Sequence, residues 1–503
     1  MRSLSKSKII GFRQCPKRLW LEIHHPELAE YDDAAKKAFA IGHQVGALAQ
    51  TIFDPAGTGT LLDAQTQGYE VVFKKTQELI NASEPKRIFE AGFNACGALA
   101  FADIMEPTDQ TGKSWHMIEV KSAASVKDYY LDDTAIQSYV AIKSGVPLDG
   151  VSVAHIDSKW VYPGEGQYQG LLKRVDVSEA AFSRHPEVER WIEEAQAVAK
   201  LPTEPNIEPG KQCTSPNPCG FISYCQRGME TVECPVTWLP HIRQNKIEVL
   251  EALGVYDLRD VPDKYLTDTQ KLVRDCTIEQ KRFFEIDATQ KFLAKYPFPA
   301  LFLDFETSNL AIPVWAGCRP FEQVPFQYSL HILDDQGNLT HKEFIDLSGN
   351  NPVRPFAEQL VSDCGTTGPI FVYNAGFESS VIKRLADRFD DLSDSLLAIN
   401  NRLVDLQPLA KAHHYHPDQK GSWSIKALLT TLDRSLNYAD LEGVQHGQMA
   451  MEAYSEAINP STSAERKAAI QQQLLDYCEL DTLAMVRIWE VFIGVRSPDL
   501  GNT

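Results

Sequence analysis

Two acids stand one residue apart in the apolar run LFLDFETSNL, Asp304 and Glu306. Strand side chains alternate faces, so these carboxylates share one face while Leu303 and Phe305 share the other. Paired carboxylates raise each other's proton affinity unless divalent cations sit between them. Two further acids would complete a two-metal site, in which ions ~3.5 to 4 Å apart stabilise the attacking and leaving oxygens of an in-line displacement at phosphorus. PIFVYNAGFESSVIKRLA offers Glu378 in the first turn of a helix that follows a strand. LLDYCELDTLAMVRIW offers Tyr477 and Asp481, four apart on one helical face. A tyrosine hydroxyl beside the last acid can orient the attacking water.

A second set lies near the N-terminus. Asp103 interrupts the apolar LAFADIM, while Glu119 and Lys121 share a strand face in WHMIEVKS, opposite Ile118 and Val120. The intervening EPTDQTGK is turn-rich and short, so a hairpin would bring the two acids and the lysine together. Two carboxylates can hold Mg²⁺ or Mn²⁺, and an ammonium can orient water and offset charge building on a phosphate. Gln137 and Tyr139 follow in a helical stretch, and Glu90 ends a strand-like run. The chain has 10 cysteines, too sparse for a disulfide scaffold; Cys213, Cys219 and Cys225 are spaced C-x5-C-x5-C, with Cys15 far upstream. Clustering of that kind suggests a metal site or redox chemistry.

The elements that must position these residues are those of an α/β protein. At 503 residues and 43% hydrophobic, the chain is long enough for two or three packed domains. Helical periodicity mixed with short strands fills the first two hundred residues; a proline-, glycine- and cysteine-rich stretch then leads to small helices, and strand-helix alternation resumes at 298. The expected divisions are 1–230, 231–297 and 298–497. No stretch is apolar enough to cross a bilayer, and the expected location is cytoplasmic. The formal charge of -19 argues against wholesale wrapping by nucleic acid but not against a local groove. Basic residues crowd the first twenty positions, with solvation as the simplest reading. HHYH at 413–416 reads as a polar loop, and Lys426 as a lysine that either meets a phosphate or is merely solvated.

The motifs at 304–306, 374–378 and 477–481 resemble the DEDD exonuclease superfamily, the DnaQ-like domains of RNase H-like fold whose third motif is Tyr-x-x-x-Asp. Glu378 stands where that pattern has aspartate, and Asp405 is a reserve acid. Asp103 with Glu119-Val120-Lys121 resembles the PD-(D/E)XK nucleases of restriction-endonuclease-like fold. The four cysteines bracketing this set resemble the iron-sulfur RecB-like branch, including the CRISPR-adaptation and AddB nucleases. That resemblance implies a 4Fe-4S cluster held by Cys15, Cys213, Cys219 and Cys225, although four thiolates also suit zinc. In that family a helical histidine precedes the aspartate, but Gly46 stands there in IGHQVG and His43 lies on another face. Gln137 matches a following glutamine motif, and Tyr139 stands in for its tyrosine less well. The whole arrangement is similar to a bacterial family of unknown function. What it implies is a Mg²⁺- or Mn²⁺-dependent nuclease with two heads joined by a small helical linker module, acting on single-stranded DNA ends, in a 3′ to 5′ sense at the second head. The metal ligands would be Asp103, Glu119, Asp304, Glu306, Glu378 and Asp481, with Lys121, Gln137 and Tyr477 completing the catalytic sets. RNA as substrate, or a nucleic-acid-binding scaffold with inactive heads, are the alternatives.

Overall fold

The computed structural model describes residues 3–31, 33–109, 113–228 and 231–497, and combines helices with several sheets. It divides into two compact units, Met1–Met229 with Leu310–Phe321, and Glu230–Asn309 with Glu322–Thr503. Residues 231–297, read from the sequence as a separate helical module, therefore fall inside the second unit. Residues 310–321, read as part of the C-terminal domain, fall in the first. There the Gly317 N–H donates to the Tyr162 carbonyl at 2.8 Å and the Tyr162 N–H to that of Cys318 at 3.0 Å. Such pairing between distant backbone segments leaves no local sequence signal.

In the first unit, β1 (Leu4–Ser5), β2 (Thr60–Leu61), β3 (Ile88–Ala95), β4 (Ala98–Pro107), β5 (Trp115–Lys121), β6 (Leu148–Ile156) and β7 (Leu172–Asp176) form one sheet, in the order β2-β3-β4-β5-β6-β7 with β1 beside β4. Cys96 and Gly97 both adopt positive φ, the geometry that joins β3 tightly to β4. β4 and β5 are antiparallel, and their register, Ile104 against Ile118, sets Asp103 level with Glu119. β5 and β6 are parallel and need a crossover, which the helix Asp128–Lys143 supplies. Trp115, Ile136, Val140 and Trp191 lie in the core between sheet and helices.

The second unit holds β8 (Phe283–Phe284), β9 (Ala300–Ser308), β10 (Val324–Leu333), β11 (Leu339–Ile345), β12 (Ile370–Val372), β13 (Leu403–Asp405) and β14 (His414–Tyr415). Five of these make a mixed sheet, β11-β10-β9-β12-β13, in which β9 is central. The helix Ala464–Ile493 starts at Ser463, whose hydroxyl caps the Arg466 N–H, and stops at Gly494 in the left-handed region. It presents Cys478, Met485, Trp489 and Phe492 as buried side chains, while Phe302 and Phe371 stack at 5.4 Å in the same core. β8 and β14 pair with each other, which corrects the polar-loop reading of HHYH: His414 is fully buried in β14 against Phe284. His413 instead pairs with Glu285 at 2.9 Å, and His416 caps Pro417–Gln419. A two-residue strand is too short to show alternation.

Candidate functional site

β9 and the C-terminal helix carry the strongest concentration of chemistry. Asp304 and Glu306 on β9 and Asp481 on the helix each bring a carboxylate oxygen within 4.8 Å of the others. Glu306 and Asp481 are buried. Burial first, then Asp481, Glu306 and Glu378, push the Asp304 carboxyl far above its ordinary range. Glu306 is raised by burial and by Asp481, with Lys426 opposing. Asp481 is pushed up to about 6 by burial, against the pull of Tyr438, Lys426 and Tyr477. Each of these carboxyls thus resists ionising unless further positive charge arrives.

Glu378 is 2% exposed in the first turn of the helix Gly376–Arg388. Its Oε2 has no hydrogen-bond partner, and burial pushes the carboxyl up to about 8. It raises Asp304 electrostatically but stands outside the 4.8 Å group. Asp405 accounts for its placement: the carboxylate accepts the N–H groups of Asn374 and Ala375 at 3.0 Å each and of Gln407 at 2.9 Å. With Asn374 at φ 76°, this fixes the turn that delivers Glu378. Asp405, the reserve acid of the sequence reading, thus positions the turn through its accepted N–H groups and stands outside the 4.8 Å group.

Tyr477 lies beside Asp481 as expected, but the closer hydroxyl belongs to Tyr438, which donates to Asp481 Oδ1 at 2.5 Å. The Lys426 ammonium sits 4.5 Å from the Tyr438 ring centre and 5.1 Å from that of Tyr477, and donates to the Gln445 carbonyl. It attracts Asp481 and Glu306, so it faces the acids and is not simply solvated. Tyr438 was missed in the sequence because its short loop turn shows no periodicity. Its only signal is Asn437, which caps that turn.

In the first unit, Asp103, Glu119, Lys121 and Gln137 meet. Asp103 Oδ2 accepts the Val120 N–H at 2.6 Å, just where the β4–β5 ladder gives out. Glu119 is 3% exposed; its Oε1 accepts from Lys6 at 2.8 Å and Lys121 at 2.9 Å, and its Oε2 from Gln137. Gln137 also donates to the Phe101 carbonyl at 2.7 Å, and Lys121 to Asp133 at 2.6 Å. The lysines overcome desolvation and hold the Glu119 carboxyl far below its ordinary range, while burial and Glu119 raise Asp103. Glu90, with φ 57°, is raised by burial and by Glu119, which places it at this site. Asp133 and Lys6 are additions to the reading: Asp133 stands one helical turn before Gln137, and Lys6 lies among basic residues read as solvated. Tyr139 does not join them; its ring faces His185 at 5.6 Å. His43 is exposed, and a side chain at Gly46 would meet open space.

The four cysteines converge. Cys15, Cys213, Cys219 and Cys225 line one narrow cavity with Lys17, Arg18 and Gln212 among its neighbours, and all four are free thiols. Cys15 precedes the helix Pro16–His24, and the Gly210 N–H points at the Cys213 sulfur at 3.5 Å. Gln14 clasps the cysteine loop by donating to the Gln212 and Asn217 carbonyls at 2.6 and 2.7 Å. Burial raises the Cys219 and Cys225 thiols, with Arg18 opposing at Cys219 and Lys17 at Cys225.

A family model described as a domain of unknown function, DUF2779, matches residues 301–424. That span includes Asp304, Glu306, Glu378, Asp405 and Trp423, and ends before Tyr438, Tyr477 and Asp481. None of the curated proteins matches the chain. Among the described residues, no helix is long and apolar enough to cross a membrane.

Proposed function

We propose that the chain is a metal-dependent nuclease with two heads: an exonuclease-like site of RNase H-like type in the second unit and an iron-sulfur PD-(D/E)XK site in the first. The observation that carries this reading is the meeting of Asp304, Glu306 and Asp481 within 4.8 Å, with Glu378 buried nearby and its Oε2 without a hydrogen-bond partner. Carboxylates so placed are an unstable arrangement by themselves and a good one around Mg²⁺ or Mn²⁺. When bound, such ions supply Lewis-acid stabilisation of phosphate oxygens and a hydroxide at neutral pH. The chain's own residues do the rest. Tyr438 holds Asp481 in one orientation, Tyr477 offers a second hydroxyl at the same carboxylate, and Lys426 presents a cation to the charge building on the phosphate. DNA with single-stranded ends is the substrate class, since a buried acid cluster accepts a frayed terminus more readily than a paired strand. Cleavage from 3′ to 5′ is what the DEDD resemblance implies.

At the cysteines, four free thiols around one cavity, an amide pointing at a sulfur and two nearby cations fit a thiolate-bound 4Fe-4S cluster. Such a cluster would supply a covalent staple between the N-terminal helices and the loop at 213–225.

One observation favours a second reading for the first unit alone. Glu119 is already neutralised by Lys6 and Lys121, so this head binds nucleic acid without cutting it. The deciding experiment uses oligonucleotides of DNA and of RNA labelled at either end, with Mg²⁺ or Mn²⁺ and three proteins: wild type, Glu119→Ala and Asp304→Ala. The two-headed reading expects each variant to lose a different part of the product pattern. Loss in Asp304→Ala alone selects the second reading, preference for the RNA strand makes the enzyme an RNase, and strands left uncut by the wild type overturn the nuclease assignment.

A further inference from the structure

Across the hairpin of β10 and β11, His331 and His341 are direct partners, so their side chains rise from the same face of the sheet. Their rings lie 4.6 Å apart, tilted by 30°. The C-terminal helix passes above them and brings Glu479, whose Oε1 is 3.9 Å from His341 Nδ1. One donor atom from each of the three lies within 4.8 Å of the others. Neither the acid cluster nor the cysteine cavity includes these residues.

The surrounding hydroxyls fix the imidazoles. His331 Nδ1 is 2.8 Å from Thr482 Oγ1, His341 Nε2 is 2.8 Å from Ser329 Oγ, and the two hydroxyls are 2.6 Å apart. Thr482 Oγ1 also reaches the Glu479 carbonyl at 3.0 Å. One wiring satisfies every proton. Each imidazole donates an N–H to its hydroxyl, Ser329 donates to Thr482, and Thr482 donates to the carbonyl. That leaves His331 Nε2 and His341 Nδ1 as lone pairs. Metal-binding histidines are oriented in this way, with the second ring nitrogen held by a neighbouring acceptor.

We propose that His331, His341 and Glu479 bind a divalent cation of the zinc class, independently of the acid cluster and of the nuclease reading. Two imidazoles and a carboxylate are a donor set for zinc with one position left open. His331 is 4% exposed, whereas the side chains of His341 and Glu479 are 23% and 47% exposed. The open position therefore faces solvent, and the half-exposed Glu479 side chain can close the remaining gap by rotation while the imidazoles stay fixed. Bound there, the ion fastens the β10–β11 hairpin to the helix that carries Tyr477 and Asp481.

The test is equilibrium dialysis of the chelator-treated full chain against Zn²⁺, with metal analysis. Wild type should bind one more tight zinc equivalent than His341→Ala, and Asp304→Asn one more than the double variant Asp304→Asn/His341→Ala. Glu479→Gln, a half-exposed change that leaves folding intact, should weaken that equivalent at least tenfold. Co²⁺ should give a visible d–d band that His341→Ala lacks, distinct from the intense near-ultraviolet charge transfer of thiolate-bound cobalt. Equal stoichiometry in wild type and His341→Ala overturns the site, and loss in the histidine variant with unchanged affinity in Glu479→Gln overturns the three-ligand assignment.

Discussion

The two acid sites solve one electrostatic problem in opposite ways. In the first unit, Glu119 is buried but meets two ammonium groups and an amide, so its charge is matched from within. In the second, Lys426 acts on Glu306 and Asp481 alone, and the proton affinities of these two, of Asp304 and of Glu378 all rise. Burial alone therefore does not decide the state of an acid; the count of cations aimed at it does. At Glu119 the buried charge is matched by cations of the chain itself, whereas at Asp304, Glu306 and Asp481 it is not.

This contrast is breakable by measurement. The largest effect should come from Glu119→Ala, which leaves Lys6 and Lys121 facing an empty place and should cost the first unit about 3 to 5 kcal/mol in a denaturant melt. Asp304→Asn should do the reverse in the second unit, raising metal-free stability at pH 8 by about 1 to 3 kcal/mol, the scale of one unpaired buried polar group. Two losses of equal size would end the contrast.

The next effect lies in pH. Asp481 and Glu378 are raised to about 6 and about 8 in the folded chain, so the folded state holds their protons more tightly than the unfolded one. Their stabilisation is whole below the ordinary carboxylate range, ~4, and is lost as pH rises through 6 and then 8. Glu119 is lowered, so its contribution is present above that range and is lost on acidification. Chelator-treated protein should thus lose stability in the second unit between pH 5 and 8, and excess Mg²⁺ should flatten that fall. A second unit that grows more stable over the same window without metal would contradict the assignment. The smallest expected change is in Tyr438→Phe, which removes a hydrogen bond worth about 1 kcal/mol. Calorimetric titration should show Mn²⁺ binding weakened by roughly fivefold, and unchanged affinity would demote Tyr438 to a packing role.

The sequence made legible whatever follows a period. Asp304 and Glu306 show through strand alternation, Tyr477 and Asp481 through helical spacing, and Glu119 with Lys121 again through alternation. Residues delivered by loops or chain ends did not show. Tyr438 sits in a single turn, Lys6 depends on β1 lying beside β4, and the capture of 310–321 by the first unit rests on backbone pairing. His331 and His341 were hidden for another reason: cross-strand partners have no fixed separation along a chain until the hairpin register is known.

The short helix Lys6–Gln14 links the Glu119 site to the cysteine cavity. Its first residue reaches Glu119, and the residue after its last is Cys15. At 1.5 Å per residue the helix is a strut about 13 Å long. Oxidative damage at the sulfurs would therefore be transmitted mechanically to the lysine at the far end, and trimming the first fifteen residues would remove Lys6 and Cys15 at once.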